Sequence, residues 1–143
     1  MKRILSLILA VIFFMGVNIP TYAAMPETIT PLWANTSQAQ VTFVIRDNGE
    51  ASWTIICDGK SSCTGIDAIT YIERKIGTFW VKIDLGVPNN EYRYSTTNSY
   101  LVQNHETTIT SPGTYRAVVI FTVYGTVEDE AFTLRNEHGY GLP

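Results

Sequence analysis

Polar and apolar residues alternate with period two through most of the chain, and breaks rich in Gly, Pro, Asn and Asp interrupt them every ten or so positions. No stretch holds a 3.6-residue period for three turns, so the pattern predicts strands and no long helix. Val41, Phe43 and Ile45 share one face, "DNG" follows, and Ala51, Trp53, Ile55 and Cys57 share a face afterwards. A two-residue Asn-Gly turn would set Ile45 opposite Ser52 and mix the faces. A three-residue loop, Asp47 to Gly49 with Gly49 left-handed at a bulge, pairs Ile45 with Ala51, Phe43 with Trp53 and Arg46 with Glu50. Further strands are predicted at 66–75, 79–85, 100–110, 114–124 and 130–135, separated by "KIGT", "GVPNNE", "SPG" and "YGTVED". About seven short strands without a crossover helix predict an all-β, antiparallel two-sheet sandwich.

The first residues depart from this pattern. Lys2 and Arg3 precede an apolar run from Ile4 to Val17, then Pro20 and the small-residue stretch Thr21 to Ala24, the order of a secretory signal. The run is shorter than the roughly 20 residues a membrane span needs. Cleavage is expected after Ala23, with Ala23 and Thr21 at the positions that take small residues. The predicted organisation is therefore a signal peptide at 1–23, a lead-in segment at 24–38 and a sandwich domain at 39–143. No second apolar run follows, which predicts a secreted, extracellular chain without a membrane span after cleavage.

Composition narrows the partners. The formal charge of −3 becomes about −5 once Lys2 and Arg3 leave with the signal, and no cluster of Lys or Arg is left to track phosphates, so nucleic acid is not an expected partner. Cys57 and Cys63 bracket the polar segment "DGKSS". In an oxidising compartment such a pair is expected to form a disulfide, worth about 2.4 kcal/mol in the chain-entropy account. The spacing is not that of redox or zinc sites.

"SPGTYRAVVIFTV", 111–123, resembles the corner between strands E and F of immunoglobulin-like sandwiches. In that corner a tyrosine returns its hydroxyl to the backbone just upstream, and the second core cysteine lies two residues on. Tyr115 takes the place of the tyrosine and Ala117 that of the cysteine, so Cys57 has no inter-sheet partner there. The fold expectation is thus an immunoglobulin-like β-sandwich of about seven strands. Two segments, "AITYIERKIGTFWVKID" and "GTYRAVVIFTVYGTVEDEAFTLRN", are similar to those of small, signal-bearing proteins of Gram-positive gut bacteria. The shared features are Glu73 to Lys75, Gly77, Trp80, Gly113, Tyr115 and Arg116, over roughly two-thirds of the mature chain. That group carries no assigned activity, so the resemblance implies fold and export rather than chemistry.

Candidate chemistry is sparse. Neither His105, beside Glu106 in a predicted strand, nor His138, in the tail, accompanies a nucleophile motif or a His-Glu-x-x-His pattern, and both read as lone surface histidines. "EDE" at 128–130 offers hard oxygen ligands for calcium but lacks the Asp-x-Asp-Gly spacing, and reads as a solvated turn. No catalytic, metal or cofactor site is expected. The candidate functional feature is instead apolar. With Tyr115, Ala117, Val119, Phe121 and Val123 facing the core, alternation points Arg116, Val118, Ile120, Thr122 and Tyr124 outward. The neighbouring strand is apolar on both faces as well, with Ile69 and Tyr71 on one and Ala68 and Ile72 on the other. Either the lead-in, carrying Leu32 and Trp33, folds over this face, or these are scattered surface hydrocarbons without a role, or the face meets a partner. The expected function is a non-catalytic extracellular binding or structural module, with a protein, a cell-surface glycan or a second copy as partner. A secreted antimicrobial or inhibitory effector is the alternative.

Overall fold

The computed structural model describes residues 27–29 and 34–141. The predicted signal peptide, its cleavage site, Leu32 and Trp33 lie outside the described residues. Among the described residues nine strands form: β1 (Glu27–Ile29), β2 (Thr36–Ile45), β3 (Glu50–Gly59), β4 (Cys63–Ile76), β5 (Phe79–Lys82), β6 (Tyr92–Thr96), β7 (Tyr100–Thr108), β8 (Gly113–Gly125) and β9 (Glu130–Tyr140). One antiparallel sheet has the order β1-β2-β3-β7. The other runs β5-β4-β8-β9, and β6 takes the same edge of β4 further along. The chain crosses between sheets from β3 to β4, from β6 to β7 and from β7 to β8. This is the immunoglobulin-like arrangement, in which strands A, B and E face C, F and G.

The turn arithmetic of the first hairpin holds residue for residue. Ile45 pairs with Ala51 and Phe43 with Trp53. Gly49 has φ of 85°, donates to the Arg46 carbonyl at 2.9 Å, and leaves Arg46 and Glu50 to pair at 2.9 Å. Only a residue free to adopt positive φ can close a loop of this kind without strain. β1 and β6 are the two strands the periodicity does not predict.

The core lies between the sheets, built from the alternate inward residues of β2, β3, β4 and β8 together with Leu134 of β9. Trp53 is the largest fully buried side chain, and its indole N–H donates to Thr70 Oγ1 at 3.1 Å. The Thr70 hydroxyl donates in turn to the Val118 carbonyl at 2.8 Å, so the buried polar chain is satisfied from end to end. Asn136 on β9 accepts from the Phe43 N–H at 3.1 Å and so ties the edges of the two sheets together. At the β7–β8 corner the Tyr115 hydroxyl donates to the Ser111 carbonyl at 2.6 Å, as the resemblance implies. Tyr115→Phe removes that donor and leaves a carbonyl at the corner unpaired. A loss of about 1 to 3 kcal/mol is expected, and an unchanged denaturant midpoint would contradict it.

The cysteines differ from expectation: Cys57 and Cys63 are both free thiols. Sequence spacing does not reveal that the five residues between them carry the chain from one sheet to the other. Cys57 is buried in the first sheet's inner face, whereas Cys63 opens β4 and directs its sulfur at the Gly65 carbonyl, 3.5 Å away. Burial, with the Cys63 thiol and nearby carboxylates adding to it, pushes the Cys57 thiol up to about 12, far from thiolate reactivity. Alkylation without reductant is therefore expected to label Cys57 only after unfolding. Two thiols that stay unlabelled even in denaturant would show a bridge instead.

Candidate functional site

The outward face of the second sheet divides into two regions. Toward the β4–β5 turn it carries charges laid on aromatic rings. The Arg116 guanidinium binds Glu73 at 2.6 Å and lies 4.0 Å from the Trp80 ring centre. Beside it the Lys82 ammonium sits 4.0 Å from the centre of the Tyr71 ring and binds Glu91 at 2.7 Å; Arg93 binds Glu91 from the other side. Strand register produces this lattice. Glu73 pairs with Arg116 across β4 and β8, and with Lys82 across β4 and β5. Opposite charges in directly opposed positions attract. The Lys82 and Arg93 contacts hold the Glu91 carboxyl below its usual range.

Val118 belongs to this region and departs from the outward-exposed reading, being only 1 % exposed. Its side chain does point away from the core. It is flanked in register by Tyr71 on β4 and Arg135 on β9, with Arg116 and Ile120 two positions away on its own strand. Long side chains with apolar stems cover a hydrocarbon between them in this way. Of the lead-in, Glu27–Ile29 adds a strand to the far edge of the other sheet, beside β2.

The second region is open. Ile120 is half-buried and pairs with Ile69, and next to them Asp67 pairs with Thr122. With Arg93 and Ser95 of β6 these residues line a shallow groove of about 330 Å3. Tyr124, 36 % exposed, stands beside the groove and donates its hydroxyl to the Asp67 carboxylate at 2.7 Å. Hydrogen bonding from Ser95 and Tyr124 keeps that carboxyl below the usual range, so it is anionic at neutral pH. The groove thus offers two aliphatic side chains between a guanidinium and a carboxylate. Of the four residues singled out from sequence, Ile120 lines this groove and Tyr124 stands beside it, bonded to Asp67, whereas Arg116 is engaged in the lattice and Val118 lies beneath it. Arg93 and Asp67 escaped the sequence reading. "EYRYST" does alternate, with Tyr92 and Tyr94 on one side and Arg93 and Ser95 on the other, but it directly follows the turn residues of "GVPNNE".

His105 is no surface histidine. It is buried opposite Trp53, with ring centres 4.7 Å apart and the planes stacked, while Tyr92 lies 4.5 Å away and Tyr94 5.6 Å away. The Tyr94 hydroxyl lies 3.5 Å from the His105 Nε2. Desolvation lowers its pKa to about 4. The unfolded chain therefore takes up a proton near pH 6.5 that the folded one refuses until about pH 4. Stability is expected to fall as pH drops through that window, before the carboxylates titrate, and His105→Phe should flatten the curve there. Identical pH profiles for the two proteins would contradict the burial.

The acids at 128–130 close a loop. Glu130 accepts from the Asn35 N–H at 2.9 Å and from Thr36 Oγ1 at 3.0 Å, and Asp129 accepts from the Gly125 N–H at 3.2 Å. Among the described residues no three His, Cys, Asp or Glu side chains are placed to share a metal ion. His138 meets Phe43 edge to face. No family model matches the chain, and no curated protein is detectably similar to it.

Proposed function

We propose that this protein is an exported, non-catalytic module that binds a protein or glycan at a cell surface through the groove around Ile69 and Ile120. The observation that carries this reading is the contrast within one sheet face. At one end every aromatic ring named above carries a cation and every such cation a carboxylate or ring. At the other, paired aliphatic residues stay accessible between Arg93 and Asp67. Accessible hydrocarbon framed by polar groups is the usual make-up of a contact surface. The order of Lys2 and Arg3, the apolar run Ile4 to Val17 and the small residues Thr21 to Ala24 supports export. The aromatic surroundings of His105 support a structural role for the residue sequence reasoning would first examine for catalysis.

The test is binding of labelled protein to intact cells and to arrayed surface glycans, parent against Ile120→Lys. Saturable binding lost in the variant supports the groove, and equal binding by both proteins refutes it. A second copy as partner would show as a concentration-dependent dimer that the same substitution dissolves. The effector alternative draws on a different observation, the exposed Ile76 and Phe79 at the β4–β5 turn. Growth inhibition of neighbouring bacteria by the added protein would favour it.

A further inference from the structure

The β4–β5 hairpin runs past the end of the core. Ile72 is fully buried, but the residues that continue its inward face beyond Arg74 meet no opposing sheet: Ile76 is 56 % exposed, Phe79 75 % and Val81 47 %. Ile76 pairs with Phe79, and Arg74 with Val81, so the three hydrocarbons lie on one side of a two-stranded tip. The turn itself projects into open space, with nothing within 4 Å of where a side chain at Gly77 would begin. Natural sheets seldom leave three large hydrocarbons together on a protruding tip unless something covers them.

We propose that this tip is a membrane-contacting device, which seats Ile76, Phe79 and Val81 in the interfacial layer of an anionic lipid surface. Two observations select lipid over a protein partner. A convex tip of three side chains cannot supply the roughly 800 Å2 per partner that a stable protein interface buries, whereas a bilayer accepts a small wedge. Cations also flank the hydrocarbons: Arg74 and Lys75 are adjacent on β4, while Lys82 on β5 is bound to Glu91 and the nearby Glu73 to Arg116. An adjacent pair of cations beside exposed hydrocarbon is drawn to anionic headgroups.

The test places a reporter at the tip. Phe79→Trp in the full chain is mixed with vesicles of phosphatidylglycerol and phosphatidylcholine carrying brominated acyl chains. The parent, with its own three tryptophans, supplies the background. The expected result is strong quenching of the added indole, several-fold greater than in pure phosphatidylcholine and weakened by Lys75→Glu. Quenching in the Phe79→Trp protein that does not exceed the parent signal would overturn the proposal. So would a dimer in solution that Phe79→Asp dissolves, which would assign the tip to a second copy. Because the readout is local and Ile120 is left intact, the result does not depend on whether the groove binds anything.

Discussion

Trp53→Ala is expected to remove about 3 to 5 kcal/mol of folding free energy, as large-to-small changes of buried aromatics do. The indole is fully buried at the centre of the sandwich, stacks on His105 and lies 6.1 Å from the Tyr92 ring. It links β3 in one sheet to Thr70 on β4 in the other. Alanine would leave a cavity bounded by the edge strands β6 and β7, which can relax only partly. The Thr70 hydroxyl would keep its bond to the Val118 carbonyl, so most of the loss is packing rather than an orphaned polar group. Against a total of about 5 to 15 kcal/mol for a domain of this kind, the change is large enough to unfold much of the population. Denaturant unfolding measures it directly. A loss under about 1 kcal/mol would mean that the aromatic cluster is not part of the core.

The second large effect separates two neighbours on one strand. Val118→Lys places an ammonium in a site already enclosed by Tyr71 and flanked by Arg116 and Arg135, with Glu73 already committed to Arg116. A cost of about 3 kcal/mol or more is expected, because an uncompensated charge must either stay buried or push the covering side chains aside. Ile120→Lys, two residues along on the same face, has the open groove above it and Asp67 on the neighbouring strand. Its cost is expected to stay within about 1 kcal/mol. Equal costs at the two positions would show that the face is not divided as described.

These particulars mark what pattern reading can and cannot reach. Alternation and turn length together determined the β2–β3 register, because only one loop length keeps both hydrophobic sets on one side. The Tyr115 corner was legible for a similar reason: the Pro-Gly break, the tyrosine and the strand after it are adjacent in sequence. What escaped depends on partners far apart in the chain. "QNHETT" looks like a solvated strand until β7 is placed beside β3, when His105 meets Trp53. Val118 looks exposed until Tyr71 and Arg135 stand on either side of it. Cys57 and Cys63 look like a staple until the chain between them is seen to cross from sheet to sheet. The groove needed β6, whose Arg93 is brought to Ile69 only by a return of the chain along the free edge of β4.

The most direct test of the binding reading is the affinity of the folded Ile120→Lys protein for intact cells of the producing strain, measured beside the parent at equal thermal stability. The groove predicts saturable binding by the parent and at least a tenfold loss in the variant, about 1.4 kcal/mol, while unfolding midpoints stay close. Parent and variant binding alike, or a parent that does not bind at all, would contradict it.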